Sequence, residues 1–285
     1  MAIVYKYCTP DRTDILEDGL IRFTQMTALN DPFDSLPSIA SLLEESFRRL
    51  SAKAKAEIGV TDDQIALNAQ YSINDYIRRL SEEFVFLSLS SEPSDVTMWA
   101  HYADSHRGFL IGFDDNHEFF GPTERFKTGL RSMNYEKERF QMTAEMLRDQ
   151  SIRTEAHDKV FFNKSPEWRY EQERRVISYP GKADRVKGQY SSNPIYLFRF
   201  PPDLVKEIRI GFRMSADKKK EVLALQQNKY PDAAVYQMHI DKYAYALKAI
   251  PYAQAVEDEA TAKMINQKFV EALQKSTSDG RTEIV

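Results

Sequence analysis

The sequence is poor in cysteine and contains no long apolar segment. Its 285 residues include one cysteine, Cys8, which excludes an internal disulfide and any site built from several cysteine ligands. No run approaches the ~18 apolar residues needed to cross a membrane. The first residues, M-A-I-V-Y-K-Y, lack the apolar core of a secretory signal peptide. We therefore expect a cytoplasmic protein that does not bind a membrane.

The sequence also lacks an excess of either charge. It has 39 basic and 43 acidic residues mixed along the chain, with a net charge of −4. Nucleic-acid-binding proteins normally carry a basic domain or stripe, so the charge gives no strong signal for nucleic acid. Glycine-rich phosphate loops, the H-E-x-x-H zinc motif and the G-x-S-x-G nucleophile motif are absent. Hydrophobic residues nevertheless make up 42% of the chain, which is enough for a sizeable core.

Hydrophobic periodicity predicts an α+β protein. Residues 3–7, 20–23, 84–90 and 109–113 alternate as strands do, and a strand–helix–strand unit is predicted over residues 208–240. We interpret residues 1–252 as a single α+β domain. Two amphipathic helices joined near Gly59 form a helical insertion at about residues 38–82. Residues 253–285 are predicted to form a polar helix followed by a disordered tail.

The stretch K-S-P-E-W-R-Y-E-Q-E-R-R-V-I-S-Y, residues 164–179, carries two closely spaced acids. A strand after Pro166 would place Glu171, Glu173 and Arg175 on one face. Two carboxylates roughly 7 Å apart oppose each other's ionisation unless cations compensate. Such a charged face is most simply a solvated one. Alternatively, one carboxylate does chemistry and the other supports it, with the neighbouring arginines as counter-charges.

The stretch from residue 84 to 113 places polar groups beside aromatic ones. Ser88 and Ser90 continue the strand face of Phe84 and Phe86 as hydroxyls. Ser94 is predicted to cap the helix that follows. Trp99 and Tyr102 of this helix lie at helical spacing and form an aromatic stripe. His101 lies off that stripe and is either a site residue or an ordinary exposed or hydrogen-bonded histidine.

The motif N-D-P-F-D at residues 30–34 predicts a tight turn, because Asp31 precedes a proline. We expect Phe33 to anchor this turn in the core. The turn chemistry favours an architectural role for the segment, with the lining of a pocket as the alternative.

Three segments together resemble a large bacterial family of uncharacterised proteins. They are V-Y-K-Y followed by N-D-P-F-D, then M-W-A-H-Y-A-D-S-H-R-G, and then K-S-P-E-W-R-Y-E-Q-E-R. More distantly, the order of elements resembles the ADP-ribosyltransferase fold, in which a split antiparallel sheet binds NAD. Val4-Tyr5-Lys6 is similar to the first motif of the toxin-like branch, Ser88-Leu89-Ser90 to the middle one and Glu171-Gln172-Glu173 to the Glu-x-Glu motif.

This resemblance implies roles for the matching residues, with NAD as the substrate and an unknown macromolecule as the acceptor. Glu173 would stabilise the oxocarbenium-like ribose, and Glu171, on the same strand face, would orient or activate the nucleophile. The two serines would hold Glu173 or the nicotinamide amide, and Lys6 would meet the dinucleotide phosphates. Further cofactor-binding candidates are His101 and the aromatic residues that could stack on nicotinamide, namely Tyr5, Tyr7, Trp99, Tyr102 and Tyr170.

Two alternatives stay open at this point. Lys6 lacks the planar fork of arginine, and Leu89 replaces a hydroxyl of the middle motif, which favours a non-catalytic module that binds a nucleotide or a partner. A metal-dependent nuclease or phosphodiesterase would instead use both glutamates together with His101 and Asp104.

Overall fold

A mixed eight-stranded sheet is the centre of the fold. The computed structural model describes residues 2–121, 123–149, 151–190 and 193–278. The strands are β1 (Ile3–Cys8), β2 (Leu20–Phe23), β3 (Val85–Ser90), β4 (Phe109–Asp114), β5 (Arg131–Ser132), β6 (Asn134–Tyr135), β7 (Asn163–Lys164), β8 (Glu173–Ser178), β9 (Arg185–Tyr190), β10 (Asn193–Arg199), β11 (Val205–Ile210), β12 (Ala234–Ile240) and β13 (Leu247–Pro251). The helices are α1 (Asp14–Asp18), α2 (Ala40–Arg49), α3 (Ala52–Ile58), α4 (Asp62–Glu83), α5 (Val96–Tyr102), α6 (Ala144–Arg148), α7 (Arg153–Phe162), α8 (Ala216–Lys229) and α9 (Tyr252–Ser278). This content confirms the α+β class.

The strand order of the large sheet is β13-β12-β11-β4-β1-β3-β8-β5. Its neighbours pair antiparallel except β11 and β12, which run parallel with α8 between them. This arrangement confirms the predicted strand–helix–strand unit, since parallel neighbours need a crossover connection. Three further strands form the small sheet β2-β10-β9.

The large sheet opens between β1 and β3. β1 and β4 are joined by six residue pairs and β3 and β8 by six, whereas one pair, Tyr5 with Ser90, joins β1 to β3 in the part of the chain that is described. The Lys6 Nζ donates to the Ser88 carbonyl at 3.2 Å. A side-chain ammonium therefore satisfies a strand carbonyl in this gap.

Apolar side chains cover both faces of the sheet. Alternate residues of β3 separate accordingly: Val85 and Leu87 lie in the cluster that faces the small sheet, and Phe86 lies in the cluster under α4 and α7. Tyr5 and Trp99 belong to a third cluster beneath α5. The charged residues described below lie where these clusters adjoin.

The segment predicted as a helical insertion contains three helices rather than two. Ser51 caps the start of α3 by accepting a hydrogen bond from the Ala54 amide. The helical structure is therefore interrupted at Leu50 as well as near Gly59. Helix α4 begins with a capping box, because the Thr61 side chain accepts from the Gln64 backbone amide and the Gln64 side chain accepts from the Thr61 backbone amide.

Local predictions differ from the structure at several helix boundaries. Asp95, not Ser94, caps α5 by accepting from the Met98 amide. α9 continues to Ser278, into residues predicted as a tail, and the predicted disorder of residues 279–285 lies outside the described part. None of the described helices is long and apolar enough to cross a membrane.

Candidate functional site

A cavity of about 250 Å³ lies at the opening between β1 and β3. Three adjacent strands contribute to it, together with the chain after β2, helix α5 and the segment that leads into β8. It is lined by Tyr5, Lys6, Tyr7, Thr24, Ala28, Leu29, Asn30, Asp34, Phe86, Ser88, Leu89, Ser90, Met98, Tyr102, Lys164, Glu171, Glu173 and Arg175. Charged groups of both signs therefore share one small space.

Lys164 lies at the centre of these charges. Its Nζ is 2.5 Å from Glu171 Oε2, 2.9 Å from Glu173 Oε2 and 3.7 Å from Asp34 Oδ2. Burial disfavours the ammonium, but the three carboxylates outweigh burial and raise the pKa of Lys164. Lys164 is thus a permanent cation that holds both glutamates in place.

Arg175 forms the second layer of the network and is fully buried. Its Nε donates to Glu173 Oε1 at 2.6 Å, and its two terminal nitrogens donate to the two Asp34 oxygens at 3.0 and 2.5 Å. This bidentate geometry suits the planar guanidinium. Both oxygens of Glu173 are consequently bound by cations, Oε1 by Arg175 and Oε2 by Lys164.

The two glutamates reach the cavity by different backbone routes. Glu171 ends a 3₁₀ helix over Pro166–Glu171, Gln172 is left-handed with φ 42°, and Glu173 is the first residue of β8. The prediction that Glu171 shares a strand face with Glu173 is therefore wrong, because the strand begins two residues later. The kink at Gln172 still directs both carboxylates to Lys164.

The environments of the two glutamates drive their pKa values apart. Burial alone would raise the pKa of Glu173, but the charges of Arg175 and Lys164 lower it to about 2. The Ser88 hydroxyl acts in the same direction. Burial raises the pKa of Glu171, and the opposing effect of Lys164 is smaller there. Glu173 is therefore ionised at neutral pH, whereas Glu171 is the carboxyl that takes up a proton more readily.

Tyr102 links Glu171 to the N-D-P-F-D segment. Its hydroxyl donates to Glu171 Oε1 at 2.6 Å and accepts from the Asn30 side-chain amide at 2.8 Å. The same segment supplies Asp34 to Arg175. The segment is thus part of the site, whereas the expected core anchor Phe33 is 58% exposed, and that prediction is wrong.

Most of the residues suggested by the sequence line the cavity. The structure brings together Lys6, Tyr5, Tyr7, Ser88, Ser90, Tyr102, Glu171 and Glu173. Two of them also make contacts that the sequence did not suggest. The Ser90 hydroxyl donates to the Glu171 carbonyl at 2.6 Å and so holds backbone. Burial lowers the pKa of Lys6, which has the Ser88 carbonyl as its hydrogen-bond acceptor.

Three of the suggested residues lie outside the cavity lining. Trp99 has no exposed surface and donates its indole N–H to the Pro93 carbonyl at 2.9 Å, so it cannot stack on a ligand here. His101 is exposed and lies 3.4 Å from the Tyr170 hydroxyl. His101 and Tyr170 lie on the surface beside the cavity.

Asp34 and Lys164 line the cavity although no sequence pattern marked them as site residues, and Arg175, expected only as a counter-charge, lines it too. The alternation of β8 did carry a signal for Arg175, which shares the face of Glu173. No local pattern marks Lys164, because its partners are carboxylates brought by other elements. Within the described residues, no group of three or more histidine, cysteine, aspartate or glutamate side chains is placed to hold one metal ion.

The fold and site define the molecule as a mixed α+β protein with a buried ion network at an opening in its sheet. Residues 98–176 match a protein family described as "Protein of unknown function (DUF2971)". The match includes Tyr102, Lys164, Glu171, Glu173 and Arg175 but not the cavity residues of β1 and β3. No curated protein and no solved structure matches the chain.

Proposed function

We propose that this protein cleaves the nicotinamide–ribose bond of NAD and transfers ADP-ribose to a macromolecule or to water. The observation that carries the proposal is the pair of buried carboxylates, Glu171 and Glu173, whose pKa values are shifted in opposite directions in one cavity. Two carboxyls with separated pKa values can divide the roles of proton carrier and permanent anion.

Glu173 is suited to the permanent anion. Cleavage breaks the C1′–N bond, the bonding electrons leave with neutral nicotinamide, and the ribose becomes oxocarbenium-like. A fixed carboxylate next to that ribose stabilises the charge where it develops. Glu173 is 4% exposed and held by Arg175 and Lys164, so little reorganisation is needed.

Glu171 is suited to the proton carrier. The acceptor hydroxyl, amine or water forms a bond to C1′ and must lose a proton, which a carboxylate with a raised pKa can accept. Tyr102 donates to the Oε1 of this carboxylate and so orients it. Lys164 contacts the other oxygen, and the proton would therefore be taken on the Tyr102 side.

The size of the cavity limits what enters it. Its volume of about 250 Å³ is below the roughly 300–1,000 Å³ typical of pockets that enclose a whole drug-sized ligand. The proposal therefore places only the nicotinamide riboside half of NAD inside, with Ser88 and Lys6 on its wall. The adenosine half would lie outside.

The test is release of nicotinamide from NAD, followed by chromatography. Glu173→Gln should lower the rate by about 10²–10³-fold, the usual effect of removing one preorganised electrostatic group. Glu167→Gln is the matched control, because Glu167 is an exposed glutamate of the adjoining 3₁₀ helix. No release by the natural protein, or equal rates in the two variants, would refute the proposal.

A second candidate is a module that binds a nucleotide without cleaving it. It is favoured by the contacts of Glu173, since cations engage both of its oxygens and its charge is compensated before any ligand arrives. Calorimetric binding of NAD with no loss of NAD over hours would select this function.

A further inference from the structure

An aromatic strip borders the cavity on its α5 side. It consists of Tyr102, His101, Tyr170 and Trp168, whose neighbouring ring centroids are 6.2, 6.4 and 6.0 Å apart. His101 is exposed and the other three rings are partly exposed. The rings come from α5 and from the 3₁₀ helix that ends at Glu171. Two separate segments thus present one continuous aromatic surface.

Both ends of the strip touch the charged network. Tyr102 lines the cavity and donates to Glu171. At the other end, the Lys164 ammonium lies 5.1 Å from the ring centroid of Trp168. A group that emerges from the cavity between these residues therefore meets aromatic faces at once.

The rings of the strip contact one another edge to face or at a tilt. His101 and Tyr170 share one long contact, 3.4 Å between Nδ1 and the hydroxyl, and their rings meet edge to face at 75°. Trp168 and Tyr170 are tilted by 35°, so no ring of the strip covers the face of another by parallel stacking. Trp99, by contrast, is enclosed in the core.

We propose that the aromatic strip binds the adenine ring of an adenine nucleotide whose other end occupies the cavity. The inference rests on the proposed function for the identity of the full ligand, NAD. Planar heteroaromatic bases stack favourably on aromatic side chains, and a cavity of about 250 Å³ is smaller than the pockets that usually enclose a whole drug-sized ligand. His101 and Tyr170, which the sequence suggested as cofactor-binding residues, would therefore contact the adenine ring and not the nicotinamide ring.

The experiment compares two probes that separate the ends of the ligand. Adenosine monophosphate (AMP) tests the strip, and nicotinamide mononucleotide (NMN) tests the cavity, each by calorimetry with the full chain. Tyr170→Ala should weaken AMP binding at least about fivefold and leave NMN binding unchanged. Tyr170→Phe keeps the ring and loses only the hydroxyl contact with His101, so it should bind AMP like the natural protein.

Tryptophan fluorescence gives a second, independent measurement of AMP binding to the strip. The chain has two tryptophans, Trp99 without exposed surface and Trp168 partly exposed, so AMP should quench the emission of Trp168. His101→Ala changes an exposed side chain and should weaken that quenching without unfolding the protein. Absence of AMP binding, or equal AMP affinity in Tyr170→Ala and Tyr170→Phe, would overturn the inference.

The outcomes also separate this inference from the proposed function. Ring-dependent AMP binding without release of nicotinamide would refute NAD cleavage and keep the strip as a nucleotide site. Release of nicotinamide with an affinity for AMP that does not depend on Tyr170 would keep the proposed function and refute the strip.

Discussion

Replacing Glu173 by glutamine should weaken the folded state by about 3 kcal/mol at neutral pH. The carboxylate is 4% exposed, and its pKa of about 2 lies below the ordinary value of 4.5; at about 1.4 kcal/mol per pH unit this difference gives the stated free energy. A carboxyl with a lower pKa in the folded state stabilises the protein fully above its unfolded pKa. The contribution is lost as the pH falls from about 4.5 towards 2, and about 1 kcal/mol remains at pH 3.

Glu171→Gln should behave in the opposite sense. The folded state raises the pKa of Glu171, because burial penalises its charge. The stabilisation from this group is therefore present below its unfolded pKa and is lost as the pH rises through its folded pKa. At pH 7 the glutamine variant should lose less stability than Glu173→Gln, or gain some, although the two carboxyls share Lys164.

The assay is urea unfolding followed by circular dichroism between pH 3 and pH 8, with the free energy of unfolding extrapolated at each pH. Glu167→Gln is again the exposed control. Equal losses for Glu171→Gln and Glu173→Gln at pH 7 would refute the assignment of opposite environments. So would a Glu173→Gln loss that stays constant down to pH 3.

Three further predictions concern the side chains of Tyr102, Arg175 and His106. Tyr102→Phe removes the hydroxyl that donates to Glu171, so the acid limb of the NAD-cleavage pH profile should move up by about one pH unit; an unchanged profile would contradict the proton role. Arg175→Met leaves Asp34 with only the more distant Lys164 as a counter-charge and should lower the free energy of unfolding in urea by about 3–5 kcal/mol. A decrease below about 1 kcal/mol would contradict this prediction. Burial lowers the pKa of His106. The neutral imidazole therefore stabilises the fold above the unfolded pKa of about 6.5, and this stabilisation is lost as the pH falls below that value. In urea unfolding between pH 7 and 5, His106→Phe should lose less stability than the natural protein.

The sequence predicts those features that depend on local alternation. Phe86, Ser88 and Ser90 share a face of β3 as expected, and Ser88 and Ser90 pair with Arg175 and Glu173 on β8. Such faces can be read from the chain because the strand period is two. The candidate residues of three strands therefore converge on one cavity.

The rest depends on contacts that sequence spacing does not encode. Asp34 meets Arg175 across 141 positions of the chain. Lys164 is the second residue of the short strand β7, just after α7. A lysine is normally expected to be solvated, and only the tertiary fold encloses this one with three acids. The left-handed Gln172 is a third case, because non-glycine residues adopt such a φ uncommonly and no local motif announces it.

The ion network is better explained by a ligand than by stability. Burying an ion pair costs several kcal/mol per charge in desolvation, and apolar residues of similar volume often serve stability equally well or better. Here Asp34, Glu171, Glu173, Lys164 and Arg175 are all under 8% exposed, and they surround a cavity rather than fill it. The sheet also gives up pairing between β1 and β3 at this point. Backbone hydrogen bonds and apolar side chains could close such a gap, so an opening lined instead with paired charges supports the proposal of a site for a polar ligand.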